Sequence, residues 1–186
     1  MSQPSAADRG TDSTRHFDSL FATHHEAVFK YCARRLGPTE AEDAVADVFA
    51  ITWRRLDAVP PGDASRAWLI GVAYKVVGNR FRSRRRRNRL AQRLLSEQAA
   101  IGHIADSPVV DTRLIHQALD ELSRADRELI RLSSWDGLSR PEIAQVLGIS
   151  VNAVDQRLHR ARSRLKVHFD RVSSQGKSSR PEEASI

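Results

Sequence analysis

The chain has 186 residues, of which 40% are hydrophobic, and its formal net charge of +7 favours a polyanionic partner such as nucleic acid or an anionic surface. Its composition of helix formers, with few glycines and prolines and no sustained apolar–polar alternation, predicts an all-α protein. It has no apolar run near the roughly eighteen residues that cross a bilayer and no apolar segment typical of a secretory signal, so we expect a cytoplasmic protein without membrane insertion.

Helical periodicity divides the chain into two blocks. Residues 16–90 and 112–170 carry apolar residues at helical spacing and are predicted to form two small helical domains. Residues 91–111 include "IGHIADSPVVD", whose Gly, Asp, Ser and Pro interrupt a helix, so we predict a flexible linker there. The polar segments 1–15 and 171–186 have few apolar anchors and are predicted to be a disordered lead and a disordered tail.

The second helix of the first block has a different character on each side. Thr39, followed three residues later by Glu42, predicts a capping box at its start. The apolar stripe, which steps by three and four residues, is Val45, Val48, Phe49, Thr52, Trp53 and Leu56. The opposite side carries Asp43, Asp47 and Arg54. It is either a solvated face or a docking face for a protein partner.

The third helix is predicted to begin at Ser65, where the loop "VPPGDAS" ends, and to continue into a strongly basic segment. Eight arginines lie within residues 80–93. Such a run is often a disordered basic tail, but this one extends an amphipathic helix that contains Trp68, Tyr74 and Phe81. Aromatic rings that stack on bases and arginines that hold the backbone suit single-stranded or melting DNA. The residues alone leave both interpretations open.

The second block contains a helix-turn-helix pattern, "GLSRPEIAQVLGISVNAVDQRLHRARSRLK". The motif needs a small residue in its first helix, a turn residue free to take positive φ and an apolar residue in its second helix. Ala144, Gly148 and Val154 occupy these positions, and Ser139 with Glu142 predicts a capping box. The groups off the apolar stripe that are able to bond bases or phosphates are Asn152, Gln156, Arg157, His159, Arg160 and Arg164. A helical hairpin with a solvated basic face is the alternative.

The sequence carries no pattern that indicates catalysis or a bound cofactor. His24, His25 and Cys32 lack metal-site spacing, so a half-buried histidine and an isolated thiol are the preferred interpretation. A single cysteine excludes an internal disulfide and suits a reducing compartment. We therefore predict a protein that is not an enzyme and that uses no cofactor and no metal.

Three segments, in this order, resemble an extracytoplasmic-function (ECF) sigma factor, a small member of the sigma-70 family of bacterial RNA polymerase subunits. They are "AEDAVADVFAITWRRL", "AWLIGVAYKVVGNRFRSRRRR" and "ALDELSRADRELIRLSSWDGLSRPEIAQVLGISVNAVDQRLHRARSRLK". The third segment shares Glu-Ile-Ala, Gly-Ile-Ser and Arg-Ala-Arg with the family's C-terminal module. The resemblance covers about residues 17–168. It implies two helical domains and a promoter-specificity subunit that directs transcription initiation.

The resemblance also implies partners and sites. Core RNA polymerase would be bound through its β′ clamp helices and β flap, and promoter DNA at its minus-10 and minus-35 elements. An anti-sigma protein is expected to hold the sigma factor silent. The implied polymerase-binding positions are Asp43, Ala46, Asp47 and Arg54. The implied minus-10 positions, supported by the loop 59–66, are Trp68, Lys75, Asn79, Arg80 and Arg82. The minus-35 positions are the six side chains of the last helix named above, together with Asp155.

Four of these positions depart from the family pattern. Ala46 stands where Gln is frequent, Lys75 where Asn is usual and Asn79 where Asp is usual. Asp155 replaces a common basic residue in the recognition helix. An acid near a helix N-terminus is favoured by the helix dipole, and a carboxylate is also able to accept a hydrogen bond from cytosine N4. We prefer the first interpretation of Asp155.

Two other functions fit parts of the pattern. A stand-alone helix-turn-helix regulator would use the first block for dimerisation or sensing. A protein-interaction adaptor would use its basic face to meet an acidic partner. The order of the blocks and the aromatic and basic third helix favour the sigma factor.

Overall fold

A computed structural model describes residues 6–94 and 110–178, and the side chains within 11–89 and 114–174. This part of the chain is helical and contains no strand. Its α-helices are α1 (Ala6–Leu36), α2 (Pro38–Arg54), α3 (Ala64–Leu94), α4 (Val110–Asp120), α5 (Arg124–Ser134), α6 (Arg140–Leu147) and α7 (Val151–Ser178), with a 3-10 turn at Leu56–Ala58. They form two compact units, one that holds α1–α3 and one that holds most of α4–α7. The predicted all-α, two-domain fold is confirmed.

The first unit is a three-helix arrangement in which every pair of helices is in contact. Its largest fully buried side chains include Tyr31 from α1, Val48 from α2, and Leu69 and Ile70 from α3. Thr52 lies in the same core, and its hydroxyl donates to the Val48 carbonyl at 2.8 Å. This bond satisfies a polar group that would otherwise destabilise an apolar interior. The core fixes the faces of α2 and α3 that remain outside.

The start and end of α2 differ from the prediction. The N-cap is Gly37, with φ of 93°, and Pro38 occupies the first turn, so Thr39 lies inside the helix and makes no capping box. A left-handed φ suits glycine, which lacks a Cβ, and the fixed φ of proline suits a first helical position. The apolar stripe was also extended too far, because Trp53 is 48% exposed. The apolar periodicity of α2 includes Trp53, whereas the buried core does not extend to this side chain.

Two helices extend beyond the predicted domain edges. α1 begins at Ala6, so most of the lead predicted to be disordered is helical, and Arg15 and Asp12 form an exposed ion pair one turn apart. α7 likewise runs to Ser178, into the predicted tail. Terminal turns of this kind need few apolar anchors, because they extend a helix that is already nucleated. Most of the predicted linker, residues 95–109, lies outside the described residues.

In the second unit, α7 packs on α4 and α5. Ser123 caps α5 by accepting from the Asp126 amide at 3.1 Å. The predicted capping box of α6 is confirmed, with Ser139 and Glu142 bonded reciprocally. Gly148 ends α6 with φ of 67°, the left-handed conformation that the turn requires. The sharp turn thereby places α7 directly after α6.

Cys32 is buried and its thiol is not in a disulfide. Within 6–94 and 110–178, no helix is long and apolar enough to cross a bilayer. In that same part of the chain, no group of His, Cys, Asp and Glu is arranged to hold a metal ion.

Candidate nucleic-acid interface

The outer face of α7 opposes its core stripe. Val154, Leu158 and Ala161 step by four and three residues and are buried. Ser150 accepts a hydrogen bond from the Ala153 amide at 3.2 Å, which holds the first turn. The exposed side chains on the other sides of the helix include Asn152, Gln156, Arg157, His159 and Arg160. The structure therefore brings most of the predicted minus-35 residues onto one solvent-facing arc of a rigid helix.

Asp155 is held by a cation from the preceding helix. Its Oδ1 is paired with Nε of Arg140, the first residue of α6. Both side chains are about half exposed, and the pair joins the two helices of the motif across the turn. The sequence had predicted that Asp155 stabilises the start of its own helix, but it had not predicted a pair with Arg140. The pair uses one carboxylate oxygen, so a base would have to meet the other oxygen beside a bound guanidinium.

Arg164 is directed toward α5 rather than outward. Its Nη1 lies 2.5 Å from Oδ2 of Asp126, whose side chain is only 15% exposed. Arg162 also reaches α5, where its Nη2 donates to the Ser133 hydroxyl at 3.3 Å. Because these arginines flank the core stripe of α7, they lie beside α5. A phosphate contact by Arg164 thus competes with a carboxylate already in place.

One face of α3 gathers most of the predicted minus-10 residues. Trp68, Lys75, Asn79 and Arg82 are separated by seven, four and three residues, the spacing that places side chains on one helix face. Lys75, Asn79 and Arg82 are exposed, and Trp68 is partly buried. Arg82 Nη2 donates to Asn79 Oδ1. The amide nitrogen of Asn79 is left as the donor that a base edge would meet.

Arg80 lies on a different side of α3, toward α2. Val77 is buried in the core, and Arg80 and Arg84 follow it at steps of three and four. Arg80 Nη2 lies 2.5 Å from Asp47 Oδ2, and Arg84 Nη2 lies 2.9 Å from Glu40 Oε1. Arg80 Nε is buried without a hydrogen-bond partner. The structure thus separates Arg80 from the other predicted minus-10 residues.

The loop before α3 is fastened to α1 by a chain of hydrogen bonds. Ser65 Oγ donates to the Gly62 carbonyl at 2.7 Å and lies 2.8 Å from His24 Nε2. Because the serine hydrogen is used for Gly62, His24 donates through Nε2. Burial, and secondly the positive charge of Arg66, lower the pKa of His24 below its ordinary value of 6.5. Folding therefore favours the neutral form of the His24 imidazole.

The outward face of α2 carries all the predicted polymerase-binding positions. Asp43, Ala46, Asp47 and Arg54 are exposed and share this face. Trp53, exposed beside it, lies edge-on to the ring of Phe17 with centroids 5.2 Å apart. Phe21, 42% exposed, continues this aromatic surface. Charged groups thus border an exposed aromatic patch that includes Trp53, which the helical periodicity had placed on the apolar stripe.

The comparisons with known proteins agree with this geometry. The model of Sigma-70 region 2 matches residues 20–87, and that of Sigma-70 region 4 matches residues 112–165. The chain is 35% identical over 177 residues to the RNA polymerase sigma factor CnrH of Cupriavidus metallidurans, with 89% of this chain and 92% of CnrH covered. It is 32% identical over 150 residues to the ECF RNA polymerase sigma factor SigL of Mycobacterium tuberculosis, with 77% and 82% covered.

The chain belongs to the sigma-70 family and is an ECF sigma factor. Solved structures of such proteins have a similar fold. CnrH in complex with the cytosolic domain of CnrY has a TM-score of 0.58 at 30% identity, covering 84% of this chain and 89% of that one. RpoE in complex with the anti-sigma factor NepR from Bartonella quintana has a TM-score of 0.59 at 25% identity, covering 88% and 97%. The sigma factor is a promoter-recognition subunit of RNA polymerase, a specificity subunit in a non-catalytic family.

The sequence of this sigma factor did not reveal the roles of several residues that shape the interface. They are His24, Glu40, Trp53, Asp126 and Arg140. Each except Trp53 acts through a partner on another element, so its role has no local sequence signal. Trp53 was placed in the core because it continues a helical stripe, and only the packing shows that it lies outside.

Proposed function

We propose that three surfaces divide the work of this sigma factor: the α2 face docks on core polymerase, the α3 face binds the melted minus-10 strand, and α7 binds the minus-35 element. The observation that carries the proposal is the separation of exposed polar residues from buried stripes on each of these helices. Each surface is thereby held rigidly by a core. The proposed domains are residues 16–90 and 112–170.

Docking on the β′ clamp helices uses Asp43, Asp47 and Arg54, with Trp53 at the edge of the same face. Aromatic and arginine side chains are enriched among the residues that dominate the energy of protein interfaces. Ala46 contributes no polar group here, so we assign the contact to its charged neighbours. Arg54→Glu is expected to weaken capture of core polymerase in a pull-down while leaving the fold intact, because Arg54 is exposed. Unchanged capture would contradict this docking face.

Strand capture uses the row Trp68, Lys75, Asn79 and Arg82. The indole offers a ring on which a base is able to stack, and the polar row offers donors to base edges and phosphates. The loop 59–66 supports this surface through the bond between His24 and Ser65.

Duplex recognition uses the outer arc of α7. Gln156, His159 and Arg160 lie one turn apart, so they are able to meet neighbouring base edges in the major groove. Asn152 and Arg157 extend the contact, and Arg157 suits a phosphate. The β flap is the proposed polymerase partner of the same unit.

The protein works in the cytoplasm with polymerase and is silenced by an anti-sigma protein. The second part rests on relatives: CnrH was solved with the cytosolic domain of CnrY, and RpoE with the anti-sigma factor NepR. Run-off transcription from a genomic promoter library, with core polymerase and with or without this protein, tests the whole proposal. Transcripts that require the protein are expected. Tight, specific duplex binding by the protein alone, without such transcripts, would favour a stand-alone regulator.

A further inference from the structure

Two of the surfaces described above share an ion pair. Asp47 belongs to the proposed polymerase-docking face, and Arg80 extends the strand-binding helix, yet the two side chains are joined at 2.5 Å. Glu40 and Arg84 repeat the arrangement at 2.9 Å. Because the lower-numbered acid meets the higher-numbered arginine, α2 and α3 run antiparallel along this seam.

These pairs contribute little to holding the fold together. The side chains of Asp47 and Arg84 are 56% and 54% exposed, and that of Glu40 is 40% exposed. Exposed ion pairs stabilise proteins weakly because water screens them and long side chains lose entropy. The buried apolar residues of α2 and α3 already join the helices. The pairs are therefore able to open without unfolding the unit.

The pairs do change what Arg80 and Arg84 present to DNA. A phosphate that approaches either arginine meets a carboxylate of like charge within hydrogen-bond distance of the same guanidinium. Arg80 also has a buried Nε without a hydrogen-bond partner, so its donors are not all satisfied by Asp47. Arg80 thus has a donor without a hydrogen-bond partner and is shielded from an approaching phosphate by the Asp47 carboxylate.

We propose that Glu40 and Asp47 cover Arg80 and Arg84 in the free sigma factor, and that docking of polymerase on Asp47 uncovers Arg80 for the DNA strand. The second half rests on the docking face proposed above. A basic group of the polymerase that takes over the Asp47 carboxylate leaves Arg80 available to a phosphate. The two binding events are then linked through one shared pair, and each favours the other.

The cover is tested with the free full-length protein and a fluorescent single-stranded DNA 12-mer of mixed sequence. Glu40→Gln and Asp47→Asn are each expected to strengthen binding, measured by anisotropy, roughly two- to fivefold, the range that an exposed ion pair supports. Glu42→Gln is the matched control, since it removes the same charge from an exposed position of α2 that has no α3 ion pair among the described residues. Equal affinities for all three variants would overturn the cover.

The link to polymerase is tested by removing the arginine of the pair instead of the acid. Arg80→Gln frees Asp47, so it is expected to strengthen capture of core polymerase in the absence of DNA by roughly two- to fivefold. Arg85→Gln, at an exposed position of the same helix, is the control and is expected to leave capture unchanged. No gain, or a loss, for Arg80→Gln would refute the link. If Arg54→Glu also leaves capture unchanged, the docking face itself is wrong, which separates the two failures.

Discussion

The two helices proposed to bind DNA present their polar groups differently. On α7, the ion pairs lie at the flanks, where Asp155 meets Arg140 and Arg164 meets Asp126. The outer arc with Gln156 between these flanks remains exposed. On α3, the arginines nearest the core are paired with acids of α2. We infer that the duplex-binding surface is preformed, whereas the strand-binding surface is complete only after a pair opens.

This difference has a physical basis in what each helix binds. A duplex offers base edges in a fixed groove, so a rigid set of donors gains affinity without rearrangement. A melted strand exists only after polymerase has opened the promoter. The arginines of α3 also attract duplex phosphates at any sequence, because that attraction is independent of sequence. Under the proposed cover, Glu40 and Asp47 reduce the share of this non-specific binding that Arg80 and Arg84 would contribute.

The largest expected effect tests the preformed face of α7. Arg160→Ala is expected to weaken minus-35 binding by about 1–3 kcal/mol and to relax preference at one base pair. Arg157→Ala, the matched variant on the same helix, should weaken binding to all sequences alike, because we assign it to a phosphate. Holoenzyme binding to a randomised minus-35 library measures both. A uniform loss for Arg160→Ala would reassign it to the backbone.

The next effect tests the exposed row of α3. Replacing Lys75, Asn79 and Arg82 together by Ala is expected to slow open-complex formation on the order of tenfold, since three exposed hydrogen-bonding groups are removed and each contributes about 0.5 kcal/mol, the low end of the usual range. Closed-complex binding should fall much less. Permanganate footprinting of thymines near the start site follows the melting. Arg85→Ala is the control for general charge, and equal losses in closed and open complexes would indicate only phosphate attraction.

How far the sequence predicts this molecule depends on whether a feature is local. The stripe of α7, the turn at Gly148 and the Ser139–Glu142 capping box repeat fixed spacings, and each is found in the structure. Residues facing solvent on α7 and α3 follow from the same spacings. By contrast, Asp126 and Arg164 are 38 positions apart. No periodicity reports such a contact, because it depends on how one helix crosses another.

The capping of α2 shows the same limit at short range. Thr39 and Glu42 have capping-box spacing, but Gly37 and Pro38 begin the helix before Thr39 is reached. Two start signals competed, and the preset φ of proline favoured the earlier one. The exposure of Trp53 was unpredictable for another reason. A helical stripe gives the direction of a side chain, but not the point along the helix at which its neighbours end.

A smaller effect tests the flank of α7. Asp155→Ala is expected to lower the free energy of unfolding by no more than about 1 kcal/mol, because its pair with Arg140 is half exposed. The base preference of the minus-35 element should stay unchanged. A double-mutant cycle with Arg140→Ala, followed by thermal unfolding, isolates the pair. A new preference at one position in the selected sequences would instead show that Asp155 contacts a base.

The smallest effect concerns the loop that supports the strand-binding face of α3. Because the pKa of His24 is lowered in the folded protein, the unfolded chain binds its proton more readily. The stability contributed by the neutral imidazole is therefore present above about pH 6.5 and is lost as the pH falls through the folded pKa. His24→Gln keeps a donor for Ser65 but does not titrate. As the pH is lowered from 7.5 into the acidic range, the melting temperature of the wild type should therefore fall slightly more than that of this variant. His16→Gln, at an exposed position of α1, is the control. Parallel melting curves for wild type and His24→Gln across this range would show that the bond to Ser65 does not depend on the neutral ring.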